Sequence, residues 1–201
     1  EWIVFGVGEW FTQRGRGRAR LMRVRRDGSA LEQLTDDSIF NAGFPSYSAD
    51  GKEVAFRIAN QDPNSASLGG IAVLNLATRQ VRNITSGYDN LPIWSPDGTR
   101  ILFTRGVRKD GSIWSNFDLF TVRPDGSELT RLTTHEASDG HAVWTPDGKQ
   151  ILWNSGMAGY RDEACLYDQT FQPYGQLFVM DADGRNKRQI TDSIWEDSTP
   201  Q

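Results

Sequence analysis

Pro92-Ile-Trp-Ser-Pro-Asp-Gly-Thr-Arg-Ile-Leu-Phe103 decides the fold, because the chain carries this stretch three times. Its counterparts are Pro45-Ser-Tyr-Ser-Ala-Asp-Gly-Lys-Glu-Val-Ala-Phe56 and Ala142-Val-Trp-Thr-Pro-Asp-Gly-Lys-Gln-Ile-Leu-Trp153, each 12 residues without a gap. In all three an aromatic stands third, Asp-Gly sixth and seventh, a β-branched residue tenth and an aromatic last. Two strand-forming runs around an Asp-Gly turn read as a β-hairpin. Aspartate bonds the backbone of its own turn, and glycine accepts the positive φ that a side chain resists.

A second hairpin alternates with the first. Its copies occupy residues 20–35, 70–85, 118–133 and 176–191, each 16 residues long and closing on Leu-Thr or Ile-Thr. The closing threonines, Thr35, Thr85, Thr133 and Thr191, recur at intervals of 50, 48 and 58 residues. Self-similarity at this period, with four short strands per unit, predicts an all-β chain, a β-propeller of four-stranded antiparallel blades.

The repeat resembles the TolB-like propeller repeat, a relative of the WD-repeat families. Trp94-Ser-Pro-Asp-Gly98, Trp144-Thr-Pro-Asp-Gly148 and Asp118-Leu-Phe-Thr-Val-Arg-Pro-Asp-Gly126 leading into Arg131-Leu-Thr133 carry the resemblance. It covers essentially the whole chain, and it speaks to fold far more than to function, because propellers host many unrelated activities.

The expected organisation is a single propeller domain over 1–201. It has a partial blade at 1–35, blades at 44–85, 91–133 and 141–191, and the start of a further strand at 199–201. Trp2-Ile-Val-Phe-Gly-Val7 aligns with Ile101-Leu-Phe103, so the first blade begins at its second strand. Fifteen strands and the start of a sixteenth follow from the alignment. This phasing has two readings. Either a terminal strand closes the ring, or the chain is part of a larger propeller of six or more blades, as the resemblance implies. The second is favoured, and an open arc would leave sheet faces that invite association or oligomer formation.

Composition narrows the function classes. The net charge of −4 does not suggest a nucleic-acid partner. No run of 18 apolar residues is present, so no membrane-spanning helix is expected. No signal peptide is visible at Glu1; a periplasmic or extracellular place is what the resemblance implies. The single Cys165 excludes an intramolecular disulfide and reads as a loop thiol. The one basic cluster, Arg14, Arg16, Arg18 and Arg20 followed by Arg23, Arg25 and Arg26, reads as a solvated loop and strand.

Hairpin lengths are constant and the links between hairpins are not. From Phe5 to Arg20, Phe56 to Gly70, Phe103 to Asp118 and Trp153 to Gln176 the steps are 15, 14, 15 and 23 residues. Variable links on a rigid scaffold are where binding sites are built. The longest link contains Tyr160, Arg161, Asp162, Tyr167, Phe171 and Tyr174, a set suited to docking a partner. A connector that packs over its own blade is the plainer reading. Three acids, Asp89, Asp139 and Asp197, recur three residues before a first strand, where a channel mouth is expected; Ala42 replaces them in blade two. A carboxylate ring suits a cation or a basic peptide; the plainer reading is that each Asp caps its own loop. His141 joins this mouth, and His135 lies in the same link.

No catalytic residue is assigned. There is no Gly-x-Ser-x-Gly elbow, no phosphate-binding glycine loop and no His-Glu-x-x-His spacing. No metal site and no cofactor is expected. The resulting expectation is a non-catalytic scaffold that binds a protein or peptide at the loop-rich face and channel mouth. Two alternatives follow from the resemblance: the gating propeller of a prolyl-oligopeptidase-type serine peptidase, and a metal-dependent sugar-acid lyase.

Overall fold

The computed structural model describes residues 1–8, 18–36, 38–39, 41–59, 69–107, 116–158, 175–193, 197 and 200. Fifteen strands are formed: β1 (Trp2–Gly8), β2 (Ala19–Arg25), β3 (Glu32–Gln33), β4 (Ala42–Tyr47), β5 (Glu53–Ala59), β6 (Gly69–Asn75), β7 (Val81–Asn83), β8 (Asp89–Trp94), β9 (Ile101–Val107), β10 (Asn116–Val122), β11 (Thr130–Arg131), β12 (Asp139–Trp144), β13 (Gln150–Ser155), β14 (Gln176–Asp181) and β15 (Arg188–Gln189). They pair in chain order as four sheets, β1-β2-β3, β4-β5-β6-β7, β8-β9-β10-β11 and β12-β13-β14-β15. The first has three strands, as the sequence predicts for a blade that begins at its second strand. The fold is an all-β propeller built of antiparallel blades. By compactness the chain divides into two units, Glu1–Ile101 with Arg123–Ser127, and Leu102–Val122 with Glu128–Gln201.

The Asp-Gly turns form for the reason their composition gives. In the first hairpin the hydroxyls of Ser48, Ser95 and Thr145 donate to Oδ1 of Asp50, Asp97 and Asp147 at 2.8, 2.6 and 2.7 Å. The same oxygens accept the backbone N–H of Lys52, Thr99 and Lys149 at 3.0–3.1 Å. Each hydroxyl also accepts the N–H that re-enters the strand, at Glu53, Arg100 and Gln150. Gly51, Gly98 and Gly148 take φ of 69°, 71° and 68° at the corner. These bonds hold the carboxylates below the usual range, with the hydroxyl the largest cause, and lower Asp50 to about 2.

The closing Leu-Thr or Ile-Thr of the second hairpin has an equally repetitive role. Oγ1 of Thr35, Thr85, Thr133 and Thr191 accepts the N–H of Leu21, Ile71, Leu119 and Leu177, at 2.9 Å in all four blades. The residue before each threonine donates its own N–H to the carbonyl of that same leucine or isoleucine at 2.8 Å. The outer strands β3, β11 and β15 are only two residues long and β7 three. The threonine extends their ladder by one side-chain bond.

Burial follows the strand pattern. In the first unit Leu21, Leu34, Ala42, Val54, Phe56, Ala72 and Leu74 form one buried cluster. In the second, Phe103 stacks on Phe120 at 5.9 Å and Trp153 packs on Phe178 at 5.5 Å. The last aromatic of the 12-residue stretch is therefore a core residue wherever it occurs.

Candidate functional site

The first strands β4 and β12 each open with an irregularity. Gly43 pairs with Arg57 and Ser46 with Ala55, so two residues face one across the bulge; Gly140 with Asn154 and Val143 with Leu152 repeat it. The non-glycine residues Phe44, Leu91 and His141 take φ of 51°, 52° and 47° at the equivalent position. A left-handed φ costs a β-branched or bulky side chain energy, and bulges re-aim the side chain they carry. His141 is the polar residue of the three.

Around these bulges the predicted acids are placed differently from one another. The strands begin earlier than the sequence spacing indicates: Asp89 is the first residue of β8 and Asp139 the first of β12. In β12 the bulge allows this, because it absorbs the extra residue without breaking the ladder. Asp89 is buried and accepts the Thr85 hydroxyl. The blade's clamping threonine thus uses its proton on Asp89 and its lone pair on Ile71.

In the second unit Asp139 is fully buried. Its Oδ1 accepts the indole N–H of Trp153 at 3.0 Å, and its Oδ2 lies 3.1 Å from His135 Nε2, a charge contact without an aligned hydrogen bond. Asp197 donates its backbone N–H to the Gly175 carbonyl at 2.9 Å, and its buried Oδ2 has no hydrogen-bond partner among the described residues. The six long-link residues Tyr160, Arg161, Asp162, Tyr167, Phe171 and Tyr174 lie outside the described residues, as do Cys165, Arg14 and Arg16.

The two histidines diverge. Contact with Asp139 raises the His135 pKa, the Asp118 charge adds to this, and burial and Lys187 oppose it. Burial alone lowers that of His141, with no charge or hydrogen bond among the described residues contributing. His141 is thus a half-buried imidazole whose neutral form burial favours.

One buried group escaped the sequence reading. Asp118 on β10 is fully buried and pairs with Arg131 on β11. Burial raises its pKa to about 6 against the pull of Arg131. The position opening the second hairpin is Arg20, Gly70, Asp118 and Gln176 in the four blades. The repeat does not constrain it, so no periodic signal marks it. Among the described residues no group of three His, Cys, Asp or Glu side chains is placed to hold a metal ion. No helix among them is long and apolar enough to cross a membrane.

Known proteins supply the family. Among solved structures, a putative TolB from Agrobacterium tumefaciens matches with a TM-score of 0.68 at 19% identity, covering 92% of this chain and 60% of that one. TolB from Acinetobacter baumannii matches with a TM-score of 0.68 at 21% identity, covering 95% and 41%. Puromycin hydrolase matches with a TM-score of 0.65 at 17% identity, covering 95% and 29%. The chain therefore spans between about a third and three-fifths of these structures' lengths, and at such identities they speak to fold alone. No curated protein matches the sequence. The model of the TolB beta propeller domain matches residues 12–172, most of the sequence, and this chain belongs to that family.

Proposed function

We propose that this chain is a non-catalytic scaffold that binds a protein or peptide through the link-bearing ends of its blades. The observation that carries the reading is His141. It stands half-buried at a strained bulge, neutral, and without a charged or hydrogen-bonded partner among the described residues. By contrast the turn aspartates and the mouth acids Asp89 and Asp139 are engaged internally. The long link with Tyr160, Arg161, Asp162, Tyr167, Phe171 and Tyr174 supplies the aromatic and charged contacts such a partner needs. Asp197, whose buried Oδ2 has no hydrogen-bond partner among the described residues, is the acid of the set suited to a basic group on the ligand.

The test uses three immobilised proteins: the natural chain, His141→Leu, and a form with residues 156–174 replaced by a short Gly-Ser link. Leucine is what the repeat carries at position 91, so the substitution respects the fold. A partner retained from the source extract by the natural chain and lost by both variants, with melting unchanged, is the expected result. Equal capture by all three, or by none, contradicts the reading.

A second reading is favoured by one comparison, the match to puromycin hydrolase over 29% of that chain. There the propeller would gate a separate hydrolase domain. Labelling of the natural protein at an active serine by a fluorophosphonate probe would select it.

A further inference from the structure

The link between β11 and β12 is pinned at both ends by bonds that do not depend on charge. At one end the Thr133 hydroxyl holds the Leu119 N–H. At the other, Ser138 accepts the Phe117 N–H at 3.0 Å, donates to Asn116 Oδ1 at 3.1 Å, and its carbonyl accepts the Gly156 N–H at 3.0 Å. Between these anchors the His135 carbonyl accepts the Asn116 side-chain N–H at 2.8 Å. The His135 ring lies 3.1 Å from Asp139 Oδ2. Both ring nitrogens are buried, and neither makes an aligned hydrogen bond. The imidazole is thus the part of the strap whose hold depends on charge.

Four further charged groups face it. Asp139 on β12 and Asp118 on β10 attract its proton, and Lys187 in the turn after β14 repels it. Arg131 on β11 is engaged by Asp118. With His135 charged, Asp139 Oδ2 faces a cation at 3.1 Å; with His135 neutral, that buried oxygen keeps only a neutral neighbour.

We propose that residues 134–137 form a proton-controlled strap, buckled by His135 on Asp139 when the imidazole is charged and loosened when it is neutral. The strap leads directly into β12 and its bulge at His141, so its state sets how firmly that end of the blade is held. The device concerns the free chain and does not depend on what His141 binds.

Amide hydrogen exchange by mass spectrometry tests it, on the natural chain at pH 6 and pH 8.5 with rates corrected for intrinsic chemistry. Protection over 133–138 should fall about tenfold at the higher pH, the difference between a charge-assisted and a neutral contact. In His135→Gln protection should be low at both pH values and the tenfold response lost, leaving only what the titration of Asp118 at about 6 contributes. Asp139→Asn, which keeps an oxygen for Trp153, should behave likewise. Unchanged protection in the natural chain overturns the proposal, and so does a tenfold pH response that survives in the double variant His135→Gln with Asp118→Asn. The comparison on the natural chain stands alone if either variant folds poorly.

Discussion

At the scale of the residue, the closing threonine accepts a backbone N–H in all four blades, and in two of them its hydroxyl also donates, from Thr85 to Asp89 and from Thr191 to Gln176. Thr85 accepts from Ile71 and donates to Asp89. Thr85→Val keeps the shape, leaves the buried Ile71 N–H without its acceptor and takes one hydrogen bond from Asp89, which costs about 2–4 kcal/mol. Urea denaturation should show this as a lower midpoint with an unchanged slope. Serine at the same position should recover most of the loss. Gly175 makes a second prediction at this scale. A Cβ there would lie 1.9 Å from the Ser155 carbonyl oxygen, a distance at which backbone must move. Gly175→Ala should cost about 2 kcal/mol or more, read as a lower melting temperature.

At the scale of the element, a blade is a pair of hairpins with a self-satisfied turn end and a link end that varies. The turn end was legible in the sequence because its chemistry repeats: Ser or Thr, then Asp-Gly, at a fixed offset. The aromatic core positions Phe56, Phe103 and Trp153 were legible for the same reason. The left-handed residues Phe44, Leu91 and His141 were not. They are of unrelated type at one backbone geometry, and periodicity in side-chain type carries no trace of φ. The start of β12 at its acid is a consequence of the bulge there. Nor was the Asp118–Arg131 pair visible, since it sits where the repeat allows any residue.

That pair carries a pH prediction. The folded pKa of Asp118, about 6, lies above its ordinary value of 3.8. The native state therefore binds this proton more tightly, and the group's contribution to stability falls as pH rises from about 4 to about 6. The turn aspartates act in the opposite sense lower down. Their pKa values are depressed, so their contribution is present above about pH 4 and is lost as pH falls through the depressed values, which for Asp50 is about 2. Melting temperature against pH should accordingly pass through a maximum on the acid side of neutrality. Asp118→Asn should remove the decline between about pH 4 and 6 and leave the acid limb intact.

At the scale of the whole molecule, four sheets of one repeat account for every described strand, and the family assignment rests on most of the sequence. What the sequence could foresee was the architecture, because a propeller is the sum of locally encoded hairpins. The candidate site is legible in the sequence only as a region. Of the four mouth residues it named, Asp89 and Asp139 proved to be tied into their own blades. Among the described residues Asp197 Oδ2 has no hydrogen-bond partner, and burial alone shifts His141. The difference arises from hydrogen-bond bookkeeping in three dimensions: a Thr hydroxyl four residues before Asp89, an indole across the ladder for Asp139.

The two histidines divide in the proposed function: His135 serves the fold, and His141 is the residue proposed to meet a ligand. The chain has only two histidines, so a single NMR titration of their ring carbons tests it. The predicted result is one imidazole titrating above the ordinary histidine value of 6.5 and one below it. His141→Leu should remove the low one, and bound partner should shift that signal alone. Two imidazoles titrating together, or a partner that moves His135 and leaves His141 untouched, would contradict it.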